Sequence, residues 1–318
     1  MVKAVTIFLC LLCSNVLANQ TVDHSKEIDR IIANDLRNKR IEMPLVVNPY
    51  VFVRRAYIDI VGRVPTYQEW KTFLKRPDRK KLIEDLQNSK GYTESMFNFY
   101  ADLLRIKRRL SNNIDGDTYI AWVKQEIEKN TPYDEFVKKI LTAEGNIWEN
   151  PEVGYFLRDE GMLLDNVSNT FQAFAGMNIS CAQCHDHPFD DWTQMDYYNM
   201  TAFFTQLNTR GKKEDRKEFQ RLRKEAEELD KSGKQKGSTN RIGQFYRHGY
   251  QHTIVQDQDK KLKLPDDYSY RDAEPGEIVK AETAVGDRVK ERRKREGLRV
   301  SFANWLASDT HPTFAANI

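Results

Sequence analysis

The feature that most constrains this chain is the pentapeptide Cys181–His185, which reads Cys-Ala-Gln-Cys-His. Cys-x-x-Cys-His is the pattern by which c-type haem is attached to protein. The two thiols form thioethers with the porphyrin, and the adjacent histidine is placed to ligate the iron from one side. The pentapeptide therefore predicts metal or haem chemistry at Cys181, Cys184 and His185.

The first residues predict a cleavable export signal. Lys3 supplies a positive charge, residues 4–13 are apolar, and residues 16–18 place small side chains ahead of Asn19, where cleavage is expected. The apolar run is too short to span a bilayer, so we expect no membrane anchor. Residues 1–18 are accordingly predicted to be a signal peptide, and the mature protein is predicted to be periplasmic or otherwise exported.

Cysteine usage and charge narrow the class of protein further. Removal of residues 1–18 would leave Cys181 and Cys184 as the only cysteines. Their close spacing is unlike a disulfide scaffold, which ties together distant parts of a small domain. The chain has 50 basic and 47 acidic residues and a net charge of +3. This near-balance gives no reason to expect a nucleic-acid partner.

Helical patterns dominate the first two thirds of the chain. Capping boxes at Thr66–Glu69 and Thr193–Asp196 predict two helix starts, and Thr131 with Pro132 predicts a third. Apolar residues at three- and four-residue intervals predict a helix from about Met162 to Met177, which delivers the chain directly into Cys181. The Cys-x-x-Cys-His segment is therefore predicted to be a turn flanked by helices.

These patterns predict a mainly α fold: a helical domain that carries the Cys-x-x-Cys-His turn, then a charged helical insertion, then a smaller segment rich in β-strands and turns. The predicted boundaries are 1–18 for the signal peptide, 19–208 for the helical domain, 209–247 for the insertion, 248–300 for the β/turn-rich segment, and 301–318 for the start of a following domain.

Several interpretations of the cysteine and histidine cluster compete. Haem attachment to Cys181 and Cys184, with His185 as proximal ligand, is favoured by the predicted export. A zinc site made by the two cysteines with His185, His187 or both is an alternative, although so dense a set of ligands strains tetrahedral geometry. A redox-active dithiol and a local disulfide or pair of packed thiols are the remaining possibilities.

The sequence does not identify the second axial ligand of such a haem. His187 is only two residues beyond His185, so we expect it to hydrogen-bond a ligand or propionate or to cap the turn, rather than reach the opposite face of the porphyrin. Other side chains of suitable chemistry are Met177, Met195, Met200, His248 and His252.

From about Ile28 to Phe204 the chain resembles a family of exported planctomycete and related bacterial proteins. The domain of that family has no known function and is often found with the planctomycete cytochrome c domain. The segments that carry the resemblance are Arg54–Thr66, Thr131–Val137, Tyr155–Arg158, Cys181–Asp190, Trp192–Gln194 and Tyr197–Tyr198. In that family a second domain usually follows, and Phe302–Leu306 with His311–Ala315 resemble its beginning.

The resemblance implies a haem-associated, exported protein with Cys181, Cys184 and His185 at the cofactor. Two functions of different classes follow as expectations. One is electron transfer that serves an extracytoplasmic oxidoreductase, with a cytochrome c or the oxidoreductase as redox partner. The other is a non-redox binding or scaffold role, in which the cysteines and histidines form a structural zinc site. Whether the chain is itself an enzyme is left open by these residues.

Overall fold

The computed structural model describes residues 25–110, 114–159, 162–209, 213–234, 236–246, 253–284 and 297–317. The predicted signal peptide, His248 and His252 lie outside these residues. The described part is mainly helical, which confirms the mainly α character of the predicted fold. None of its helices has the length and apolar character needed to cross a membrane.

The helices are α1 (residues 25–38), α2 (Pro49–Val61), α3 (Tyr67–Lys75), α4 (Arg79–Gln87), α5 (Lys90–Leu103), α6 (Asp117–Glu128), α7 (Tyr133–Thr142), α8 (Gly154–Leu157), α9 (Leu163–Ala175), α10 (Gln194–Thr201), α11 (Lys213–Lys231), α12 (Ser238–Tyr246) and α13 (Leu298–Leu306). Short strands are β1 (Gly145–Asn146), β2 (Leu207–Asn208) and β3 (Ile254–Asp257). Single 3-10 turns cover Pro151–Val153, Ser180–Gln183, Ala202–Phe204 and Ala315–Asn317.

The chain divides into two compact units. Among the described residues, the smaller unit comprises residues 25–56 together with Val64–Arg79. In it Phe52 of α2 stacks on Phe73 of α3 with ring centroids 5.9 Å apart, and the Arg79 guanidinium lies 4.6 Å from the centroid of the Phe52 ring. The capping box predicted at Thr66 is confirmed, because Thr66 and Glu69 each accept a backbone N–H from the other.

The larger unit comprises Tyr57–Arg63 and Lys80–Ile318, and it contains the main hydrophobic core. Phe302 of α13 is at the centre of that core. Its ring lies 5.7 Å from Phe171 of α9, 5.7 Å from Phe203 and 4.7 Å from Phe204, measured between ring centroids. The segment expected to begin a following domain therefore packs among the aromatic side chains of the helical domain.

A buried arginine fastens α13 to the rest of this unit. The Arg299 side chain is 1% exposed and makes ion pairs with Asp257 of β3 (2.8 Å) and Glu144 (3.0 Å). Its guanidinium also donates to the carbonyl oxygens of Leu141 and Ala143, each at 3.0 Å. Four partners from two distant parts of the chain thus converge on one side chain of α13.

The strands form one small antiparallel sheet in the order β1-β3-β2. Gly145 pairs with Val255 in one ladder, and Leu207 pairs with Asp257 in the other. The sheet joins the residues after α7, the residues after α10 and the predicted β/turn-rich segment. The boundaries predicted at 208, 247 and 300 stay predictions, since residues from Lys80 onward cluster as one compact unit.

The segment predicted to be a charged insertion contains a hairpin of α11 and α12. Phe219 of α11 stacks on Tyr246 of α12 with ring centroids 4.0 Å apart, and Ala226 of α11 is buried. Asp230 accepts hydrogen bonds from the backbone N–H groups of Ser238 and Thr239, which caps the start of α12. The hairpin has this small apolar contact of its own, separate from the main core.

Candidate functional site

Helix α9 brings the chain to the Cys-x-x-Cys-His segment. Val167, Phe171 and Phe174 are fully buried on one face of α9, which fixes its position in the core. The helix ends at Gly176, whose φ of +66° is a left-handed conformation that glycine adopts without steric cost. The helix predicted over 162–177 is thus confirmed, and its end points the chain toward Cys181.

The first part of the motif is a single 3-10 turn, Ser180–Gln183. Asn178 accepts hydrogen bonds from the backbone N–H and the hydroxyl of Ser180, at 3.3 and 2.7 Å. Ala182 points into the core and is fully buried, whereas Cys181 and Cys184 are exposed and form no disulfide. The turn therefore buries its small residue and leaves both thiols accessible to solvent.

His185 is exposed, and one of its ring nitrogens is engaged by the backbone. Its Nδ1 lies 2.7 Å from the carbonyl oxygen of Asp186. A carbonyl can only accept, so this contact requires a proton on Nδ1. In the neutral ring the lone pair is then on Nε2, the nitrogen through which a metal is commonly bound while the other ring nitrogen is held by a carbonyl.

His187 is used differently. Its backbone N–H donates to the carbonyl oxygen of Trp192 at 2.7 Å, and its Nδ1 accepts the backbone N–H of Phe189 at 3.3 Å. A lone pair on Nδ1 places the proton of the neutral ring on Nε2, opposite to His185. His187 thus closes the loop that follows the motif, and the side chain at the tip of that loop, Phe189, is 94% exposed.

Three further hydrogen bonds anchor the loop to its surroundings. The carboxylate of Asp186 accepts the backbone N–H of Gln194 at 2.8 Å, and the Gln194 side chain donates to the carbonyl of Gln183 at 3.1 Å. The backbone N–H of Asp186 donates to the hydroxyl of Tyr270 at 2.7 Å. Trp192 is buried against Phe171 of α9, with ring centroids 5.8 Å apart.

Sequence patterns do not single out Tyr270 and Gln194 as parts of this site. Gln194 is the first residue of α10, and the capping box predicted at Thr193 is confirmed there, because Thr193 and Asp196 bond each other's backbone N–H groups. Tyr270 follows the motif by more than eighty residues, and no local sequence pattern identifies it as part of the site. Its contact with Asp186 depends on long-range packing.

The stretch of sequence that carries the motif is acidic. Between Asp159 and Arg210 the sequence contains no lysine or arginine, although such residues are common elsewhere in the chain. Burial, followed by the negative charge of Asp267, raises the pKa of Tyr198. Burial, a hydrogen bond to Asp272 and the charges of Asp272 and Asp186 raise the pKa of Tyr268.

The described residues contain no set of three or more Cys, His, Asp or Glu side chains that could hold a metal ion. Of the other axial-ligand candidates within the described residues, Met200 is fully buried, and Met177 and Met195 are half-buried against the core. The second axial ligand stays unassigned.

A family profile matches residues 27–209 of the chain, and the matched region includes the complete Cys-x-x-Cys-His segment. The family is described as PSCyt2, a protein of unknown function (DUF1549), and its domain is linked to planctomycete cytochrome c. No curated protein and no solved structure shows significant similarity to the chain. The match covers more than half of the sequence, so the chain belongs to the PSCyt2 family of proteins of unknown function.

Proposed function

We propose that this chain is an exported c-type haem protein that transfers electrons for an extracytoplasmic oxidoreductase. One observation carries the proposal: Cys181 and Cys184 are free and exposed on a single helix-flanked turn, next to a histidine whose Nδ1 is held by a backbone carbonyl. The haem would supply one-electron transfer at its iron.

The residues present fit this cofactor. Thioether formation needs two thiols that haem can reach, and neither thiol is enclosed by the core. Axial ligation needs an imidazole nitrogen with a lone pair directed away from the backbone, and His185 offers Nε2. The contact from His185 Nδ1 to the Asp186 carbonyl would fix the ring's orientation and tautomer, as backbone carbonyls do for many histidine ligands.

The arrangement favours haem over the zinc scaffold. A structural zinc site needs four converging protein ligands, and the described residues do not gather even three. His187 Nδ1, moreover, is occupied by the Phe189 N–H. Covalent haem attachment asks for one histidine nitrogen and two thiols that need not converge on a single metal, which is what this turn offers.

The proposal includes a redox partner with a basic surface. Asp186, Asp190 and Asp191 lie in the loop beside the two thiols, and none of them forms an ion pair with another described residue. Unpaired carboxylates near an exposed cofactor edge attract a cationic protein and accelerate its association. The exposed Phe189 ring adds an apolar contact in the middle of this acidic loop.

Haem attachment is tested by expressing the full chain, with its own leader, in bacteria that have a c-type haem attachment system. Haem that remains with the polypeptide after denaturation, with one haem per chain by pyridine haemochrome absorbance, is the expected result. Cys181→Ala combined with Cys184→Ala abolishes the linkage. His185→Ala keeps residual linkage but changes the spin state of the iron.

His187→Ala is the matched control, because it removes a neighbouring imidazole that the proposal does not use as proximal ligand. It is expected to leave both linkage and spin state unchanged. Stoichiometric zinc without covalent haem in these preparations would contradict the proposal and support the scaffold alternative. For the partner, reduction of a basic cytochrome c should slow as ionic strength rises, and Asp190→Asn with Asp191→Asn should weaken that dependence.

A further inference from the structure

The smaller unit carries most of the large apolar side chains that are exposed to solvent. Of the eighteen such side chains among the described residues, eleven belong to residues 25–56 and 64–79, although most described residues belong to the larger unit. Exposed apolar side chains that are scattered singly are ordinary, whereas a concentration of them in one region marks a contact with a partner or a membrane. The smaller unit is therefore a candidate docking surface.

The most exposed part of this surface is the segment between α1 and α2, residues 41–48, which we call the apolar loop. It has no regular secondary structure. Leu45 and Val46 are 93% and 81% exposed, and Ile41 and Met43 are each more than half exposed. Side chains this exposed stand clear of the protein, so a folded partner would cover only one side of each. The headgroup and acyl boundary of a bilayer is fluid and can surround them on every side.

Aromatic side chains follow the apolar loop. The exposed ring of Tyr50, at the start of α2, lies 5.6 Å from the Trp70 ring of α3, and the exposed Tyr67 ring stacks on the same indole at 6.2 Å. Tyrosine and tryptophan are enriched where membranes meet water, because each has an apolar body and a polar end. This aromatic cluster therefore matches a lipid boundary.

Positive charge is concentrated in the same unit. Its described residues include eleven lysines and arginines and six aspartates and glutamates, a net charge of +5, whereas the whole chain carries +3. Exposed arginines bracket the apolar loop, since Arg37 and Arg40 precede it and Arg54 and Arg55 follow it on α2. None of the four forms an ion pair with another described residue. Cations beside an exposed apolar segment attract an anionic lipid surface.

A second copy of this chain fits the surface less well. A symmetric contact places the same patch of both copies face to face, so the bracketing arginines of the two copies would meet. Like charges in such positions oppose association. The partner must therefore be anionic, and the almost complete exposure of Leu45 and Val46 favours lipid over an acidic protein.

From these features we infer that the smaller unit docks on an anionic lipid surface, with the apolar loop inserted at the boundary between headgroups and acyl chains. The four bracketing arginines would lie against the lipid headgroups, and Tyr50 would lie at the same level. Such a contact is peripheral, because the segment lies on the membrane and does not span it. The inference is independent of haem attachment, since no residue of the Cys-x-x-Cys-His segment contributes.

Co-sedimentation with vesicles tests the inference. The protein is the chain from Asn19 onward, exported behind a cleavable leader, because the apolar residues 4–13 would bind lipid by themselves. The vesicles contain either equal parts of phosphatidylglycerol and phosphatidylcholine or phosphatidylcholine alone. We expect binding to the anionic vesicles that weakens as ionic strength rises, and binding at least about tenfold weaker to the neutral vesicles.

Two double substitutions separate the apolar part from the charged part. Leu45→Ser with Val46→Ser should weaken the affinity for anionic vesicles by about tenfold or more, because it removes most of the inserted apolar surface. Arg54→Gln with Arg55→Gln should weaken it by about ten- to thirtyfold and flatten its dependence on salt.

The matched controls lie outside the smaller unit. Ile278→Ser removes an exposed aliphatic side chain, and Lys260→Gln with Lys261→Gln removes two adjacent exposed cations. The controls should leave the affinity within about twofold of the parent, and every variant should keep the parent's thermal midpoint, since only exposed side chains are replaced.

Equal binding to neutral and anionic vesicles would overturn the inference, and so would equal affinities of the variants and their controls. It would also be overturned if the chain bound no anionic vesicle, whether it then bound poly-glutamate, as an acidic protein partner would require, or self-associated through Leu45 and Val46.

Discussion

Replacement of Arg299 by methionine tests whether α13 belongs to the same cooperative unit as the helix that leads into the motif. Arg299 is 1% exposed. Its guanidinium forms ion pairs with two carboxylates and donates hydrogen bonds to two backbone carbonyls. Methionine keeps much of the aliphatic volume but donates no hydrogen bond. The substitution therefore leaves the carbonyls of Leu141 and Ala143 without this donor, and it leaves Asp257 beside Glu144 with no cation between them.

The expected cost is about 3–5 kcal/mol, the usual loss when one partner of a buried ion pair is removed. For a unit of this size each kcal/mol lowers the thermal midpoint by about 2–4 °C, so a fall of roughly 6–20 °C is expected. Differential scanning calorimetry measures the midpoint. Because Phe302 and Trp305 of α13 pack against Phe171 of α9, the single unfolding transition should shift as a whole.

Arg223→Met is the matched control, since Arg223 forms an exposed ion pair with Glu227 on α11 and should cost less than about 1 kcal/mol. A second comparison is Glu144→Gln. Burial, followed by the charge of Asp257, raises the pKa of Glu144, so neutralising it should leave stability unchanged or slightly higher at pH 7. The reasoning would be refuted if Arg299→Met lowered the thermal midpoint no more than Arg223→Met does. It would also be refuted if Arg299→Met shifted only a small, separate unfolding transition.

Three other substitutions test separate parts of the structure. Tyr270→Phe removes the acceptor of the Asp186 N–H, so it should cost about 0.5–1 kcal/mol and accelerate amide hydrogen exchange in the loop, as read by mass spectrometry. Burial opposes ionisation of Glu126, but hydrogen bonds that include one from Lys139 at 2.5 Å outweigh it and lower the carboxyl pKa. The stabilisation is therefore present above the unfolded pKa and lost as pH falls through the folded pKa. Glu126→Gln should accordingly lower the urea midpoint at pH 7, and its midpoint should converge with that of the parent as pH falls below the folded pKa. Replacement of residues 213–246 by a short flexible linker should leave the main thermal midpoint within about 2 °C, and a larger fall would show that the hairpin supports the core.

Local sequence patterns predicted the helix starts well where a side chain hydrogen-bonds to backbone within the same turn. Thr66 and Thr193 cap α3 and α10 as their sequences predict, because a capping box needs only residues within one turn. At α7 the prediction was wrong in one respect. Pro132 is the N-cap residue there, and the Thr131 hydroxyl donates to the Glu126 carboxylate of the preceding helix instead of capping. The Thr131 hydroxyl therefore bonds a side chain of α6 in place of the backbone at the start of α7.

Long-range contacts could not be predicted in this way. Strands were expected within residues 248–300, where β3 lies, but β1 and β2 are two residues each and exist only because β3 lies between them. Arg299 looks in the sequence like any surface arginine of a charged stretch. The chemistry of the candidate site was readable from Cys181, Cys184 and His185, whereas its support by Tyr270 depends on a fold that brings distant residues together.

Ala182 points into the core and the two thiols are exposed, which bears on whether folding depends on the proposed haem attachment. The core is completed by Ile179 and Ala182 and includes neither cysteine. The proposed haem attachment would therefore modify a turn that the core already holds in place, without adding to that core. If so, the chain purified without haem should resist proteolysis as a folded protein.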